Sequence, residues 1–262
     1  MTPIFVAPLN EIPSYGDLFR LARLSGFDVR SGKIERKTGE CYITIFHCGA
    51  ELYGSGGKTV LWYLERVFPW GKDDSFVRHI EDIRTERGID EVWVSDMSLR
   101  GLLKSARFVP VGSHAGLSPL APEKSNYEYD IADMCYRNPR RGFIGSLGCR
   151  IAPPCYPPQR DAVLSSTKFM LNVHQDGDLY MEPLRFAVAC SAGLPIITEK
   201  CWDVLPYKGA AIIETEYPNI VPAVQRLLRT DYSPHKQAAM EMRNMILEKF
   251  NFKDCIMRAL GE

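Results

Sequence analysis

Three histidines have the residue type and the position expected of groups that do chemistry. His47, His114 and His174 each follow a stretch that predicts a β-strand. In an open α/β sheet, ligands bind outside the carboxyl ends of the strands, so each imidazole is a candidate for ligand binding or proton transfer. Taken alone, each is more often a packed or solvated histidine than a catalyst, and the occurrence of three at strand ends makes a functional role for one of them as good an explanation.

A group of arginines is the second candidate. Arg137, Arg140 and Arg141 lie in "YRNPRR", after the first predicted strand of the second half. Guanidinium groups match phosphate oxygens in geometry and charge, so this loop is a candidate phosphate site. The alternative is a solvated basic turn.

Two glycine-containing motifs resemble ligand loops. "DGD", Asp176 to Asp178, has oxygen ligands at a spacing that suits a hard cation, but it also reads as a turn after a strand, and the turn is favoured. "YGSGGKT", Tyr53 to Thr59, resembles a P-loop, yet Leu52 stands where the motif needs glycine, and a strand follows instead of a helix. We expect a flexible loop there, lining a cleft.

The elements that would position these groups alternate between strands and helices. Near-continuous apolar strands separated by helical patterns indicate parallel sheets covered on both faces. In the first half we predict strands at 4–9, 42–49, 59–65, 91–96 and 107–114, and helices at 15–26, 75–88 and 98–106. The basic segment 28–40 is interpreted as a solvated β-hairpin in preference to a surface that contacts phosphates. Residues 117–127 are rich in Pro and Ser and predict a linker or surface crossing.

The alternation restarts in the second half. We predict strands at 129–136, 149–156, 170–175, 194–199 and 210–216, and helices at 143–148, 160–169, 182–193, 219–230 and 233–250. Ser233 is the expected N-cap of the last of these helices, with Pro234 at its first position. The fold class is therefore α/β, with two Rossmann-like domains in tandem.

Composition narrows the functional class. The 262 residues carry 32 Lys plus Arg and 32 Asp plus Glu, so there is no global basic field for non-specific nucleic-acid binding. No apolar run reaches the ~18 residues that span a bilayer, and the start does not have the pattern of a signal peptide. The eight cysteines form no C-x-x-C pair, so we expect a reducing, cytoplasmic location, no disulfides and no metal site.

The stretch "MEPLRFAVACSAGLPIITE", Met181 to Glu199, combines a helix, a tight turn and a buried strand. Small residues let the helix pack closely on a sheet, which fixes its N-terminus near the strand ends. When the regular helix is taken from Leu184 to Ala192, Glu182 lies just before its N-terminus. Glu182 is then placed to accept hydroxyls of a ribose, and the first-turn N–H groups are placed to meet phosphate. A purely structural helix leaves Glu182 and Arg185 together unexplained.

Four segments, in order along the chain, resemble GT-B glycosyltransferases of the family-4-like and CgeB-like group. They are "EVWVSDMSLRGLL", "FVPVGSHAGLSPL", "SSTKFMLNVHQ" and "RFAVACSAGLPIITE". The last is similar to that group's donor-site helix and turn. The resemblance implies two Rossmann-like domains with a cleft between them: an acceptor-side domain over 1–116, a donor domain over 117–250, and a tail over 251–262 that packs back on the first domain.

The resemblance also implies a reaction, the transfer of a sugar from a nucleotide-sugar to an acceptor hydroxyl. It implies no resident cofactor or metal, and a UDP-sugar is the favoured donor. His47, Glu65 and Asp96 would hold the sugar or take the acceptor proton, and His114 would lie at the domain crossing. The donor-binding positions would be Arg137, Arg141, Lys168, His174, Asp178, Tyr180, Glu182, Pro183, Leu184 and Arg185.

One departure bears on the donor. Alignment on Gly193-Leu194-Pro195 puts Val188 where the group has a ribose-binding glutamate, and Glu182 is the candidate substitute. The acceptor stays open among a glycan, a small molecule and a hydroxymethylated DNA base, the last because compact transferases of this sort occur in phage and prophage. The alternative from another class is a non-catalytic module that binds nucleotides or sugars.

Overall fold

The structure is a computed structural model of the whole chain. It describes residues 1–8, 15–45, 51–64, 74–122, 126–134, 139–153, 159–174 and 179–261.

The chain divides into two compact units. Unit 1 comprises Met1–Gly112, Glu182–Leu184 and Asn251–Glu262, and unit 2 comprises Ser113–Met181 and Arg185–Phe250. The chain thus passes from unit 1 to unit 2 at Gly112, whereas the sequence placed that boundary after residue 116.

Unit 1 is built on a six-stranded sheet in the order β2-β1-β4-β6-β7-β8, with a separate pair, β3-β5. All the strand pairings described in it are parallel. The elements are β1 (Thr2–Ala7), α1 (Gly16–Leu24), β2 (Asp28–Ser31), β3 (Lys33–Glu35), β4 (Glu40–Ile45), β5 (Glu51–Tyr53), β6 (Lys58–Tyr63), α2 (Asp74–Glu86), β7 (Glu91–Val94), α3 (Met97–Leu102), β8 (Arg107–Phe108) and, from the end of the chain, α8 (Phe252–Leu260).

Aromatic side chains fill one side of the unit 1 core. Phe252 of α8 lies 6.0 Å from the ring centre of Trp62 in a stacked arrangement, and 5.7 Å from Phe5. Trp62 in turn meets Trp93 edge-on at 5.9 Å. Such ring pairs add to the free energy gained by burial alone, so α8 is an integral part of unit 1.

Unit 2 is built on a five-stranded parallel sheet in the order β10-β9-β11-β12-β13. Its first strand, β9, has β10 on one side and β11 on the other, so the strand order reverses between β9 and β11. The elements are β9 (Tyr129–Asp133), a 3₁₀ helix (Pro139–Leu147), β10 (Ile151–Ala152), α4 (Gln159–Leu164), β11 (Thr167–Asn172), α5 (Pro183–Ala192), β12 (Ile196–Glu199), β13 (Ile212–Thr215), a second 3₁₀ helix (Tyr217–Asn219), α6 (Ile220–Leu227) and α7 (Ser233–Lys249). The first two residues of α5 are grouped with unit 1.

The segment expected to be a linker is packed against α5. Ser118 donates its backbone N–H to Ser191 Oγ at 3.0 Å, and Ala121 donates to the Ala192 carbonyl at 2.9 Å. Leu117, Ser118 and Ala121 are buried. Because these bonds satisfy backbone groups that a free linker would leave to water, the segment is anchored to the unit 2 core through Leu117, Ser118 and Ala121.

Two basic side chains of α7 close the carboxyl end of α5. Lys236 donates to the carbonyls of Ala121 and Gly193, at 2.7 and 2.8 Å, and Arg243 donates to the Ser191 carbonyl at 3.0 Å. Cations satisfy the last carbonyls of a helix and complement its dipole. Gly193 has a φ of 64°, and an added Cβ would lie 2.8 Å from Met240 Sδ, so the turn requires glycine.

Several local predictions were wrong. The helix predicted over 160–169 ends at Leu164, because Ser165 donates its hydroxyl to the Ala162 carbonyl and β11 begins at Thr167. Residues 28–40 do not form the predicted hairpin. They contain two strands that pair in parallel with other strands and not with each other: β2 with β1, and β3 with β5. Gly32, with a φ of 85°, separates them. The strand predicted over 107–114 is confined to β8.

The start of α7 also differs from the prediction. Ser233 is its first residue and Tyr232 its N-cap, which makes no side-chain capping bond. The Asp231 carboxylate instead accepts the Ser233 N–H at 3.1 Å, so the capping function lies two residues before the predicted N-cap.

No helix in the described ranges is both long and apolar enough to cross a membrane. The cysteines described as free thiols are Cys41, Cys149, Cys190, Cys201 and Cys255. Burial raises the pKa of the Cys190 thiol to about 12, so this side chain behaves as a small hydrophobe.

Candidate functional site

The carboxyl edge of the unit 2 sheet carries buried polar residues where the strands end. Asp133 ends β9, Asn172 ends β11 and Glu199 ends β12, and all three are at most 4% exposed. The register pairs Leu171 with Asp133, and Asn172 with Thr198, so these side chains lie on neighbouring strands. Since buried polar groups are costly without partners, what holds them defines the site.

An ion pair between Arg140 and Glu199 is the strongest feature of this edge. Arg140 Nη2 lies 2.7 Å from Glu199 Oε1, and Nη1 lies 3.0 Å from Oε2. The Glu199 side chain is 6% exposed and the Arg140 side chain 22%. Arg140 also lies 3.8 Å from the ring centre of Tyr217, whose hydroxyl donates to the Arg140 carbonyl at 2.7 Å. The guanidinium is therefore held by both oxygens of Glu199 and by a ring face at once.

This pair fixes the main chain of His174. Glu199 Oε2 accepts the His174 N–H at 3.1 Å, and Arg140 Nη1 donates to the His174 carbonyl at 3.1 Å. His174 stands just past β11, where the chain leaves the sheet toward α5. The ion pair therefore fixes the main chain at the carboxyl end of β11.

The imidazole of His174 is buried under the same edge. Its Nε2 lies 3.1 Å from the Lys200 carbonyl and 3.7 Å from Cys201 Sγ. The side chain is 2% exposed. The ring thus joins β11 to the segment after β12, and a direct donor contact by His174 stays a prediction.

A second chain of hydrogen bonds reaches the first turn of α5. Arg185 Nη1 donates to Asn172 Oδ1 at 2.8 Å, and Asn172 Nδ2 donates to Thr198 Oγ1 at 3.1 Å. Arg185 is half-buried. A helix N-terminus carries unsatisfied N–H groups and a partial positive charge, and Arg185 adds a guanidinium to it. This turn is therefore suited to bind an anion.

Arg141 completes the edge on the β9 side. Its guanidinium pairs with Asp133, whose side chain is 1% exposed, while Arg141 itself is 21% exposed. Arg140 and Arg141, neighbours on the 3₁₀ helix Pro139–Leu147, thus bind carboxylates at the ends of two different strands. Arg140 was a candidate for binding phosphate. In the structure, both of its terminal nitrogens donate to the Glu199 carboxylate instead.

The structure does not bring Lys168 to this edge. Lys168 lies near the start of β11 and pairs with Asp130, near the start of β9, at 3.1 Å. From Lys168 to Asn172 the strand rises about 13 Å. A diphosphate bound at the carboxyl edge is therefore out of its direct reach.

The other residues expected to bind the donor lie in or before the first turn of α5. Tyr180 is 8% exposed and Pro183 is buried, whereas Glu182 and Leu184 are half-buried. Glu182 stands directly before α5, as the sequence predicted. Its role toward a ribose stays a prediction.

His114 and Asp96 have structural partners. His114 Nδ1 accepts the Gly116 N–H at 3.0 Å, and its carbonyl accepts the Ser191 hydroxyl at 2.9 Å. Asp96, in unit 1, caps α3 by accepting the N–H and the hydroxyl of Ser98 at 2.7 and 2.6 Å. It is 1% exposed, so capping explains its position.

Four predicted site residues lie outside the described residues: His47, Glu65, Arg137 and Asp178. The Asp-Gly-Asp motif lies outside them too. Within the part of the chain that is described, no three His, Cys, Asp or Glu side chains are grouped so that they could hold a metal ion.

The P-loop-like segment is a tight turn between β5 and β6. An added Cβ at Gly56 would lie 2.8 Å from the Thr38 nitrogen, and one at Gly57 would lie 2.8 Å from the Lys37 carbonyl oxygen. Arg36 also donates to the Gly54 carbonyl. The glycines allow two backbone segments to approach closely, so this segment packs against residues 36–38, and its flexibility stays a prediction.

Comparison with known structures identifies the architecture. A structural match covers 100% of this chain and 96% of AviGT4, a glycosyltransferase involved in avilamycin A biosynthesis, with a TM-score of 0.59 and 12% sequence identity. The chain has the GT-B fold. The predicted fold class, α/β with two tandem Rossmann-like domains, is confirmed.

Further comparisons are weaker. WaaG, a glycosyltransferase involved in lipopolysaccharide biosynthesis, gives a TM-score of 0.48 at 10% identity, with 98% of each chain covered. The lipopolysaccharide outer core galactosyltransferase WaaB gives 0.48 at 7% identity, with 99% of this chain and 100% of that chain covered. No protein-family model matches the chain, and no curated protein matches it significantly.

Sequence reasoning missed three residues of this edge: Asp133, Asn172 and Glu199. A signal was present, because each is a polar residue at the last position of a predicted buried strand, in "YDIAD", "KFMLN" and "IITE". The carboxyl end of a buried parallel strand is where such a residue should be examined first.

Proposed function

We propose that this protein is a glycosyltransferase that moves a sugar from a nucleotide-sugar to an acceptor hydroxyl. The observation that carries the proposal is the charged carboxyl edge of unit 2 in a chain with the GT-B fold. At that edge Arg185 stands in the first turn of α5, and Asn172, Glu199, Arg140 and Arg141 surround the ends of β9, β11 and β12.

The chemistry requires positive charge at the diphosphate. During transfer the bond between the anomeric carbon and the diphosphate oxygen breaks, and a bond from that carbon to the acceptor oxygen forms. The leaving diphosphate gains negative charge, and the acceptor hydroxyl gives up its proton to a base. Arg185, Arg141 and the N–H groups of the first turn of α5 are suited to stabilise the diphosphate.

The finer assignments belong to this proposal. Glu182 would accept ribose hydroxyls in place of the glutamate whose usual position is taken by Val188, which is fully buried in α5. His47 and Glu65 are the candidates for the acceptor base. A UDP-sugar is the donor we would test first, and membership in the family-4-like or CgeB-like group stays a prediction.

The donor is found with a thermal-shift and turnover screen of UDP-, GDP-, ADP- and dTDP-sugars, each with and without Mg²⁺. A donor at one hundred times its Kd stabilises the folded protein by about 2.7 kcal/mol, which a shift in Tm reports. We expect one nucleotide-sugar to stabilise the protein without Mg²⁺. When the acceptor is supplied, we expect the corresponding nucleoside diphosphate to be released. Stabilisation only with Mg²⁺ would direct attention to the Asp176–Asp178 motif.

The variant Glu182→Ala separates an enzyme from a binding module. We expect a large loss of turnover with little change in Tm, because Glu182 lies before α5 and is half-exposed. Tight donor binding by the wild-type protein, with no turnover on glycan, small-molecule or hydroxymethylated DNA acceptors, would favour the non-catalytic module. A protein that binds none of the donors contradicts the proposal.

A further inference from the structure

Trp202 is an exposed tryptophan in unit 2. Its side chain is 55% exposed, whereas Trp62 and Trp93 are fully buried. A single exposed apolar residue needs no explanation by itself. The position of Trp202 and the hydrogen bonds of its backbone make it a candidate ligand contact.

Trp202 lies on the carboxyl edge of the sheet, just after Glu199 ends β12. Its N–H donates to the Leu179 carbonyl at 2.8 Å, so it is bonded to the chain that leads into α5. On the other side, Lys200 donates to the Thr215 carbonyl at 3.0 Å, and Cys201 donates to Glu214 Oε1 at 3.1 Å. The backbone under the indole is therefore fixed before any ligand arrives, which lowers the entropy cost of binding.

The neighbours of Trp202 supply groups for hydroxyls. Lys200 is exposed and lies 3.5 Å from Glu216, and Asp203 Oδ1 accepts the Leu205 N–H at 3.1 Å. A carboxylate has about four lone-pair sites, so Asp203 has capacity for further donors. A flat apolar face with polar groups at its rim matches a sugar ring, which has C–H bonds on its faces and hydroxyls on its rim.

We propose that Trp202 is the platform on which the ring of the transferred sugar stacks. The inference rests on the proposed function and adds a sugar subsite to it. Phosphate would bind at the first turn of α5, which follows β11, and Trp202 follows β12, the neighbouring strand. The transferred sugar and the ribose are each bonded directly to the diphosphate, while the nucleobase is one ring further away. Since Glu182 before α5 is the proposed ribose contact, the ring assigned to Trp202 is the sugar.

The test compares Trp202→Ala with Trp202→Phe, which keeps an aromatic face, and with Leu120→Ala as a matched control. Leu120 is the other strongly exposed large apolar residue described in unit 2. Calorimetry measures the Kd of each protein for the UDP-, GDP-, ADP- and dTDP-glucoses and for the four free nucleoside diphosphates.

We expect Trp202→Ala to bind the nucleotide-sugar about tenfold more weakly, which equals about 1.4 kcal/mol, with no change for the free nucleoside diphosphate. Trp202→Phe should keep most of the affinity, and Leu120→Ala should match the wild-type protein. In the wild-type protein, the nucleotide-sugar but not the diphosphate should change the Trp202 fluorescence.

Three results would overturn the inference while the proposed function stands. The first is an unchanged Kd of Trp202→Ala for the nucleotide-sugar. The second is that Trp202→Ala loses as much affinity for the free nucleoside diphosphate as for the nucleotide-sugar, which would assign the indole to the base. The third is that Leu120→Ala loses as much affinity for the nucleotide-sugar as Trp202→Ala does. Failure of the wild-type protein to bind any nucleotide-sugar or diphosphate overturns the proposed function and this inference together.

Discussion

The two edges of the unit 2 sheet carry ion pairs of similar composition in different surroundings. At the carboxyl edge Glu199 is 6% exposed and binds Arg140 through both oxygens. At the amino edge Asp130 binds Arg150 at 3.0 Å and Lys168 at 3.1 Å, and the Arg150 side chain is 56% exposed. Both clusters tie neighbouring strands together, but only the first is built into the connection between β11 and α5.

The difference shows that burial decides how strongly a charged cluster fixes the geometry around it. An exposed pair gains little because water and salt screen it. A buried pair fixes geometry strongly, because an unpaired partner would be costly. The carboxyl edge therefore has a preorganised geometry suited to a binding site, and the amino edge has a network whose basic side chains are more exposed.

The largest effect is expected for Glu199→Ala. The change leaves the Arg140 guanidinium and the His174 N–H without their acceptor, and removing one member of a buried pair costs about 3 to 5 kcal/mol. Urea denaturation of the wild-type protein, Glu199→Ala and the isosteric Glu199→Gln measures the free energy of unfolding. Glu199→Gln should lose less than Glu199→Ala, since its amide oxygen still accepts a hydrogen bond.

Arg140→Lys should have an intermediate effect. Lysine keeps the charge but loses the two-pronged bond to Glu199 and the stacking on Tyr217, which we expect to cost about 1.5 to 3 kcal/mol. The same denaturation measurement on Arg141→Lys gives a neighbouring control on the same 3₁₀ helix. If Arg140→Lys is as stable as the wild-type protein, the fork geometry does not matter.

The smallest effect is expected for Asp130→Asn, at most about 1 kcal/mol at neutral pH. Burial alone would raise the pKa of the Asp130 carboxyl, but hydrogen bonds from Arg150 and Lys168 lower it below its ordinary value. The stabilisation it provides is thus present above pH ~4 and is lost as the pH falls through the lowered pKa.

Denaturation of the wild-type protein and Asp130→Asn between pH 2 and 7 should show the two free energies converging in acid. Added salt should shrink their difference at pH 7. A loss for Asp130→Asn as large as that for Glu199→Ala would remove the distinction between the two edges.

The sequence predicts the architecture better than the site. Apolar strands such as "IFVA" and "FMLN" and the amphipathic helix after Asp74 follow from local periodicity, which survives in the fold. The short strands β2 and β3 were misread as a hairpin, because parallel pairing joins segments that are distant along the chain and leaves no local turn signal.

Site residues that act through distant partners escape local reasoning. The residues of the Arg140–Glu199 pair are 59 positions apart, so nothing near either residue indicates the other. Lys168 was assigned to the donor by resemblance, and the structure places it at the start of β11, on the edge away from the first turn of α5. The position of Glu182 and Arg185 at the beginning of α5 was predictable, because a helical pattern starts there.

The central claim is that the nucleotide-sugar binds at the carboxyl edge of unit 2, and one measurement tests it most directly. Calorimetric titration of the wild-type protein, Arg185→Ala and Lys168→Ala with the nucleotide-sugar found in the screen compares the two edges. Because Arg185→Ala loses a charged hydrogen bond, it should bind the nucleotide-sugar roughly 10- to 150-fold more weakly than the wild-type protein does. Lys168→Ala should bind it as tightly as the wild-type protein does. Wild-type affinity in Arg185→Ala together with loss in Lys168→Ala would contradict the account.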